Sequence, residues 1–236
     1  MAKKIQQGTC VYCTKECEVT EDHVIPQCLF PNGLPIDVPK VFACQPCNHI
    51  IKSGNDTYLR DFLVTDMNSS QSPLTQELFS KFERAVKRNQ SKLANDAMQN
   101  QLVELRTKSG LFGGLAYTSQ EANERIPSIL LMMVRGLYNN YRGKILPQDI
   151  SFDARRVGDF KKLSVDTGIL IDAGAQYMRP GDGSVFDGLV AESPTRPYNA
   201  IWILNFYRRV VFLAFTESQS KEQGEEETAT ATPQAN

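Results

Sequence analysis

The stretch CVYCTKECEVTEDHVIPQC, residues 10–28, opens with a Cys-x-x-Cys pair, and a second pair, CQPC, follows at 44–47. A Cys-x-x-Cys turn lets two thiolates converge on one ion at about 2.3 Å each, and two such turns complete a tetrahedron. Between the pairs lies a turn-rich connection, NGLPIDVP at 32–39. The spacing therefore predicts a small domain stapled by a closed structural Zn²⁺ site on Cys10, Cys13, Cys44 and Cys47. A redox pair would open a helix in a βαβ setting, which this pattern does not offer. Cys17, four residues after Cys13, is an alternative ligand. Otherwise Cys17 and Cys28 read as small buried or half-exposed thiols.

The chain has 236 residues, 41% hydrophobic and 22% charged, enough for one large domain or two small ones. A formal net charge of −1 argues against a DNA-packaging protein but leaves room for a local basic face. The start MAKKIQQGTC is polar, with no apolar run of the kind a secretory signal carries, so none is expected. The most apolar run, IPSILLMMV at 126–134, is about half a bilayer's thickness and reads as a buried helix. No membrane contact is expected. The expected location is cytoplasmic, where thiols stay reduced and paired cysteines favour metal over disulfides.

All six cysteines and both histidines fall within residues 1–65, the clearest boundary in the chain. KVFAC at 40–44 has strand character, and from Cys47 to about Leu63 the pattern is helical, interrupted by SGND at 53–56. Leu74, Leu78, Phe82 and Val86 form one helical stripe. The stretch from Asp96 to Arg106 continues in that style, and SGLFGGLAYTS is a glycine-rich break. A helix is expected from about Ser119, or from Pro127, to about Gly143. Residues 145–200 show weak periodicity, and 200–215 read as strand. The expectation is an α+β chain: a small zinc-stapled module at 1–65, a mostly α-helical domain with a C-terminal strand at 66–216, and a disordered acidic tail at 217–236.

Inside the cysteine frame, Asp22 and Asn48 offer oxygens suited to a hard divalent cation, and His23 offers an imidazole whose ordinary pKa of about 6.5 suits a general base. Asn48 is alternatively a helix cap. On a straight strand Asp22 and His23 point to opposite faces, so both meet one substrate only if the strand bends or the substrate bridges its edge. His49 reads as a helix-surface residue or a contact behind the metal ligands rather than as a ligand itself. Lys52 and Arg60, on the following helix, face either phosphates or solvent.

The segments CVYC, EDHVIP and ACQPCNHIIKS together resemble the HNH endonucleases, in the zinc-stabilised branch whose last motif residue is Asn. DHVIPQCLF also resembles the matching stretch in the HNH domain of RNA-guided CRISPR nucleases. The resemblance covers residues 8–63, about a quarter of the chain, and implies a ββα-metal fold. It implies Asp22 and Asn48 as ligands of a catalytic Mg²⁺ or Mn²⁺, His23 as general base and the four cysteines as zinc knuckles. DNA is the implied substrate, with Lys52 and Arg60 as candidate nucleic-acid contacts. One departure stands out: the family's middle Asn falls at Pro39, so Asn32, Asp37 or a backbone group must brace the loop instead. Two rival readings follow: a zinc module that binds DNA or protein without cleaving, and an RNA-cleaving, toxin-like effector.

Beyond residue 65, Arg84, Lys87, Arg88 and Lys92 form a basic stretch, read as a phosphate-binding or a solvated helical face. FYRRVVF reads as core rather than as a base-stacking surface.

Overall fold

The computed structural model describes residues 5–66, 72–99, 102–106, 109–110, 112–117, 120–157 and 174–219. Three antiparallel strands come first: β1 (Gln6–Thr9), β2 (Glu16–His23) and β3 (Lys40–Cys44), in spatial order β1-β2-β3. A single 3₁₀ turn (Gln27–Leu29) lies in the long connection between β2 and β3. After β3 the chain enters a π-helical turn (Pro46–Lys52) that runs directly into α1 (Ser53–Thr65). The expected break at SGND is thus a change of helix type rather than an interruption. A π turn carries i→i+5 bonds and fits one extra residue into the coil, which shifts the phase of every side chain after it.

Next come α2 (Pro73–Lys87), α3 (Lys92–Gln99), β4 (Leu102–Arg106), β5 (Phe112–Tyr117) and α4 (Gln120–Arg142). The expected stripe holds in α2, where Leu78 is fully buried and Leu74 and Phe82 pack against the core. The helical expectation for 96–106 is corrected after Gln99, because β4 pairs with β5 across the glycine-rich segment. Helix α4 starts seven residues before Pro127, which it carries internally. Gly143, at φ +64°, ends α4 in the left-handed conformation, its N–H donating to Asn139 O at 2.8 Å. The buried Arg135 guanidinium then donates to the carbonyls of Leu146, Pro147 and Gln148, fixing the chain's exit.

The mostly helical expectation for 66–216 also needs correction. Strands β6 (Ser151–Val157), β7 (Gln176–Met178), β8 (Phe186–Glu192), β9 (Ala200–Phe206) and β10 (Val210–Glu217) build one antiparallel sheet in the order β6-β10-β9-β8-β7. The strand expected at 200–215 is a hairpin. Tyr207 and Arg208 both have positive φ, at 53° and 55°, so the turn is type I′, whose twist suits adjacent strands. The conformation is costly for residues other than glycine. Here Tyr207 is buried, and its hydroxyl donates to Leu29 O at 2.8 Å. Residues 220–236, the bulk of the expected tail, lie outside the described residues.

One hydrophobic core runs through both halves of the chain. Val24, Ile25 and Leu29 belong to the same buried cluster as Leu130, Leu137, Trp202 and Phe206. Gln148 Nε2 donates to Tyr12 O at 2.8 Å, and the Asp37 carboxylate accepts from Gly181 N–H at 2.9 Å. At Gly136 of α4 an added Cβ would lie 2.7 Å from a Val24 methyl. So α4 presses directly on the residue after His23. Among the described residues, no helix is long and apolar enough to cross a membrane.

Candidate metal centre and adjoining cleft

The ligand atoms of Cys10, Cys13, Cys44 and Cys47 all lie within 4.8 Å of one another. A tetrahedral zinc with bonds of about 2.3 Å needs sulfurs about 3.8 Å apart. The Cys13 and Cys44 sulfurs are 3.8 Å apart. The first pair sits at the tip of the β1–β2 hairpin, where Cys10 N–H donates to Lys15 O and Thr14, at φ +57°, turns the chain. The second joins β3 to the π-helical turn. Burial raises the Cys10 thiol's pKa, but backbone N–H groups of Cys44, Cys13 and Tyr12 outweigh it, and the net shift is downward, toward thiolate. This donor set suits a metal ion such as zinc. Cys17 is outside it: its thiol turns to Lys15 O at 3.3 Å.

Beside this centre is a cleft of about 350 Å³, lined among others by Asp22, His23, Asn48, Lys52 and Asp56. Asp22 and His23 both reach it because β2 ends at His23 and the chain turns away through Val24–Pro26. Asp22 is buried at 8% exposure; its Oδ2 accepts the Tyr12 hydroxyl at 2.7 Å and lies 3.4 Å from Lys52 Nζ. Both contacts fall on Oδ2 rather than on Oδ1. Burial, helped by the Asp22 charge, holds the Tyr12 pKa well above its ordinary value, so Tyr12 remains a neutral donor. On His23, Nδ1 lies 2.6 Å from Gln27 Nε2, which secures the ring from the 3₁₀ turn. Burial, reinforced by the Lys40 charge, lowers the His23 pKa, while Asp22 opposes the shift.

Asn48 Nδ2 is buried with no hydrogen-bond partner. An orphaned amide in a polar cleft is costly, and amide O and N exchange by a half-turn of the side chain. Asn48 lines the cleft beside Asp22 and His23. Asp22 and Asn48 thus present two protein oxygens in one cleft, a donor set that fits a hard divalent cation keeping several waters.

Lys52 and Arg60, expected to face phosphates or solvent, are instead buried, with their charged ends engaged by groups of the chain itself. Lys52 is only 4% exposed and its ammonium serves the interior: His23 O at 2.8 Å, Asp56 Oδ2 at 3.1 Å and Asp22 Oδ2 at 3.4 Å. Arg60 is 9% exposed, and its Nε donates to Asp61 Oδ1 at 2.9 Å. His49 is exposed, as expected. At the brace position, Pro39 supplies a backbone carbonyl that accepts Val24 N–H at 2.9 Å. Asp37 is engaged with Gly181 instead.

Sequence reasoning missed Tyr12, Gln27 and Asp56. A signal existed for the last: Asn48, Lys52 and Asp56 are four apart. Burial pushes the Asp56 carboxyl up to about 6 against the pull of Lys52. Cys28 also lines the cleft, but burial raises its thiol to about 12, and it donates to Asp56 O, so it is no nucleophile.

No protein-family model, curated protein or solved structure matches this chain. What the cleft does is read from its own residues.

Proposed function

We propose that the chain is a divalent-cation-dependent endonuclease of the HNH type that hydrolyses phosphodiester bonds in DNA. The observation that carries this reading is the convergence of Asp22, His23 and Asn48 on one cleft beside the cysteine centre. His23 is the general base: its lowered pKa keeps the imidazole neutral near pH 7, ready to take a proton from an attacking water. Asp22 and Asn48 are the protein ligands of the cation, Mg²⁺ or Mn²⁺. Bound there, it supplies the positive charge that stabilises the phosphate's developing negative charge. The cysteine centre is closed and structural, setting the distance between β2, which carries the base, and the π-helical turn, which carries Asn48.

The test is cleavage of supercoiled plasmid, single-stranded DNA and RNA with Mg²⁺, Mn²⁺ or a chelator. DNA cleavage that the chelator abolishes supports the reading. RNA cleavage alone would transfer the same centre to the ribonuclease reading. Salt-sensitive DNA binding without cleavage under any cation would favour the non-enzymatic zinc module.

A further inference from the structure

We propose that Lys52 is a positioning residue for His23, holding the base-bearing peptide from the side opposite Pro39. This rests on the endonuclease reading above. The His23 carbonyl and the Val24 N–H belong to a single peptide unit, and both ends of it are tied. Val24 N–H donates to Pro39 O at 2.9 Å, and the His23 carbonyl accepts from Lys52 Nζ at 2.8 Å. Peptide units are planar, so fixing both polar ends fixes the plane and with it the backbone torsion that aims the His23 side chain. The ring is then secured at Nδ1 by Gln27.

Lys52 is built for that task. An ammonium has three N–H donors, and here three acceptors surround it: a carbonyl from β2, a carboxylate from β2 and a carboxylate from α1. Its burial is tolerable because two carboxylates compensate the charge. The π-helical turn sets the phase that carries Lys52 inward, on the same side as Asn48. Base and amide ligand are thereby joined through one side chain, and a displacement of about 1 Å at the base is enough to cost roughly 100-fold in rate.

Lys52→Met alone leaves two buried carboxylates uncompensated and threatens folding. The variant to test is therefore Lys52→Met with Asp56→Asn, which keeps the local charge constant, compared with Asp56→Asn alone and with Lys52→Arg. The double variant is expected to lose about 10- to 100-fold in kcat relative to Asp56→Asn, with KM within about 2-fold and zinc content unchanged. Lys52→Arg restores part of the rate. In a His23→Ala background the same pair of changes produces no further loss, because Lys52 acts through His23. An equal loss in that background, or none in the wild-type background, overturns the proposal.

A second readout is independent of turnover. The chain has two histidines, so the His23 imidazole resonance is assigned by NMR with His49→Ala. It is expected to shift or broaden in the double variant and not in Asp56→Asn. An unchanged His23 signal overturns the positioning role even if cleavage is lost. Should the wild-type protein cleave nothing, the endonuclease reading fails while this signal still decides the role of Lys52.

Discussion

The side-chain amide of Gln27 lies 2.6 Å from His23 Nδ1, and which amide atom faces the ring decides which ring nitrogen carries the proton. With the amide nitrogen inward, Nδ1 accepts and the proton sits on Nε2. With the oxygen inward, Nδ1 donates and Nε2 carries the lone pair a general base needs. The endonuclease reading requires the second arrangement. Gln27→Leu is expected to lower kcat about 10-fold by freeing the ring. Gln27→Glu, whose carboxylate accepts from Nδ1–H and attracts imidazolium, should raise the His23 pKa and move the acid limb of the pH–rate profile to higher pH. In the wild type, burial and the Lys40 charge lower that pKa, so activity should hold at neutral pH and fall only below about 6.5. An acid limb that moves to lower pH in Gln27→Glu contradicts the assignment.

Asp56 makes a prediction whose sign is opposite to that of an ordinary salt bridge. Its folded-state pKa is raised from 3.8 to about 6 by burial, despite Lys52. The folded state therefore favours the protonated form. The stability Asp56 contributes is fully present below pH 3.8 and is lost as pH rises through about 6. Asp56→Asn should melt at or above the wild-type temperature at pH 7, and that advantage should shrink as pH falls from 7 toward 4.5. Differential scanning fluorimetry without divalent cation measures it; an advantage that grows on acidification would contradict the burial effect.

The cysteine centre predicts about one zinc per chain under reducing conditions. Cys44→Ser should release the metal and unfold the first sheet, since metal binding supplies much of such a module's folding energy. Cys17→Ser should keep the metal, because Cys17 stands outside the four-sulfur set. Metal analysis by mass spectrometry with circular dichroism decides both.

Gly136 links the later part of the chain to the cleft. An alanine there would place its Cβ 2.7 Å from a Val24 methyl, one residue from His23. Overpacking of that kind costs about 1–3 kcal/mol. Gly136→Ala should lower both the melting temperature and kcat, and adding Val24→Ala should recover part of each. Loss of stability with full activity per folded molecule would separate α4 from the cleft.

The cysteine frame, the Asp22–His23 pair, the stripe of α2 and the buried α4 run were legible because each rests on local spacing. The five-stranded sheet was not. Strand β9 is buried on both faces over most of its length, and in β8 Gly188, Leu189 and Val190 are buried in succession, so neither shows the alternation that marks a half-buried strand. Lys52 was misread for a different reason. A lysine on a helix reads as a phosphate contact or a solvated residue, and only the extra residue of the π turn and two carboxylates from separate elements bring it inside. Arg60 is hidden likewise, since its partner Asp61 is its neighbour in sequence and i,i+1 residues on a helix do not ordinarily face each other.

The central claim is that His23 removes the proton during phosphodiester cleavage. Single-turnover cleavage of plasmid DNA by zinc-loaded wild-type and His23→Ala protein, with saturating Mn²⁺, tests it most directly. The expected loss in His23→Ala is about 100- to 10,000-fold, with DNA affinity unchanged. Equal rates in the two proteins would contradict it.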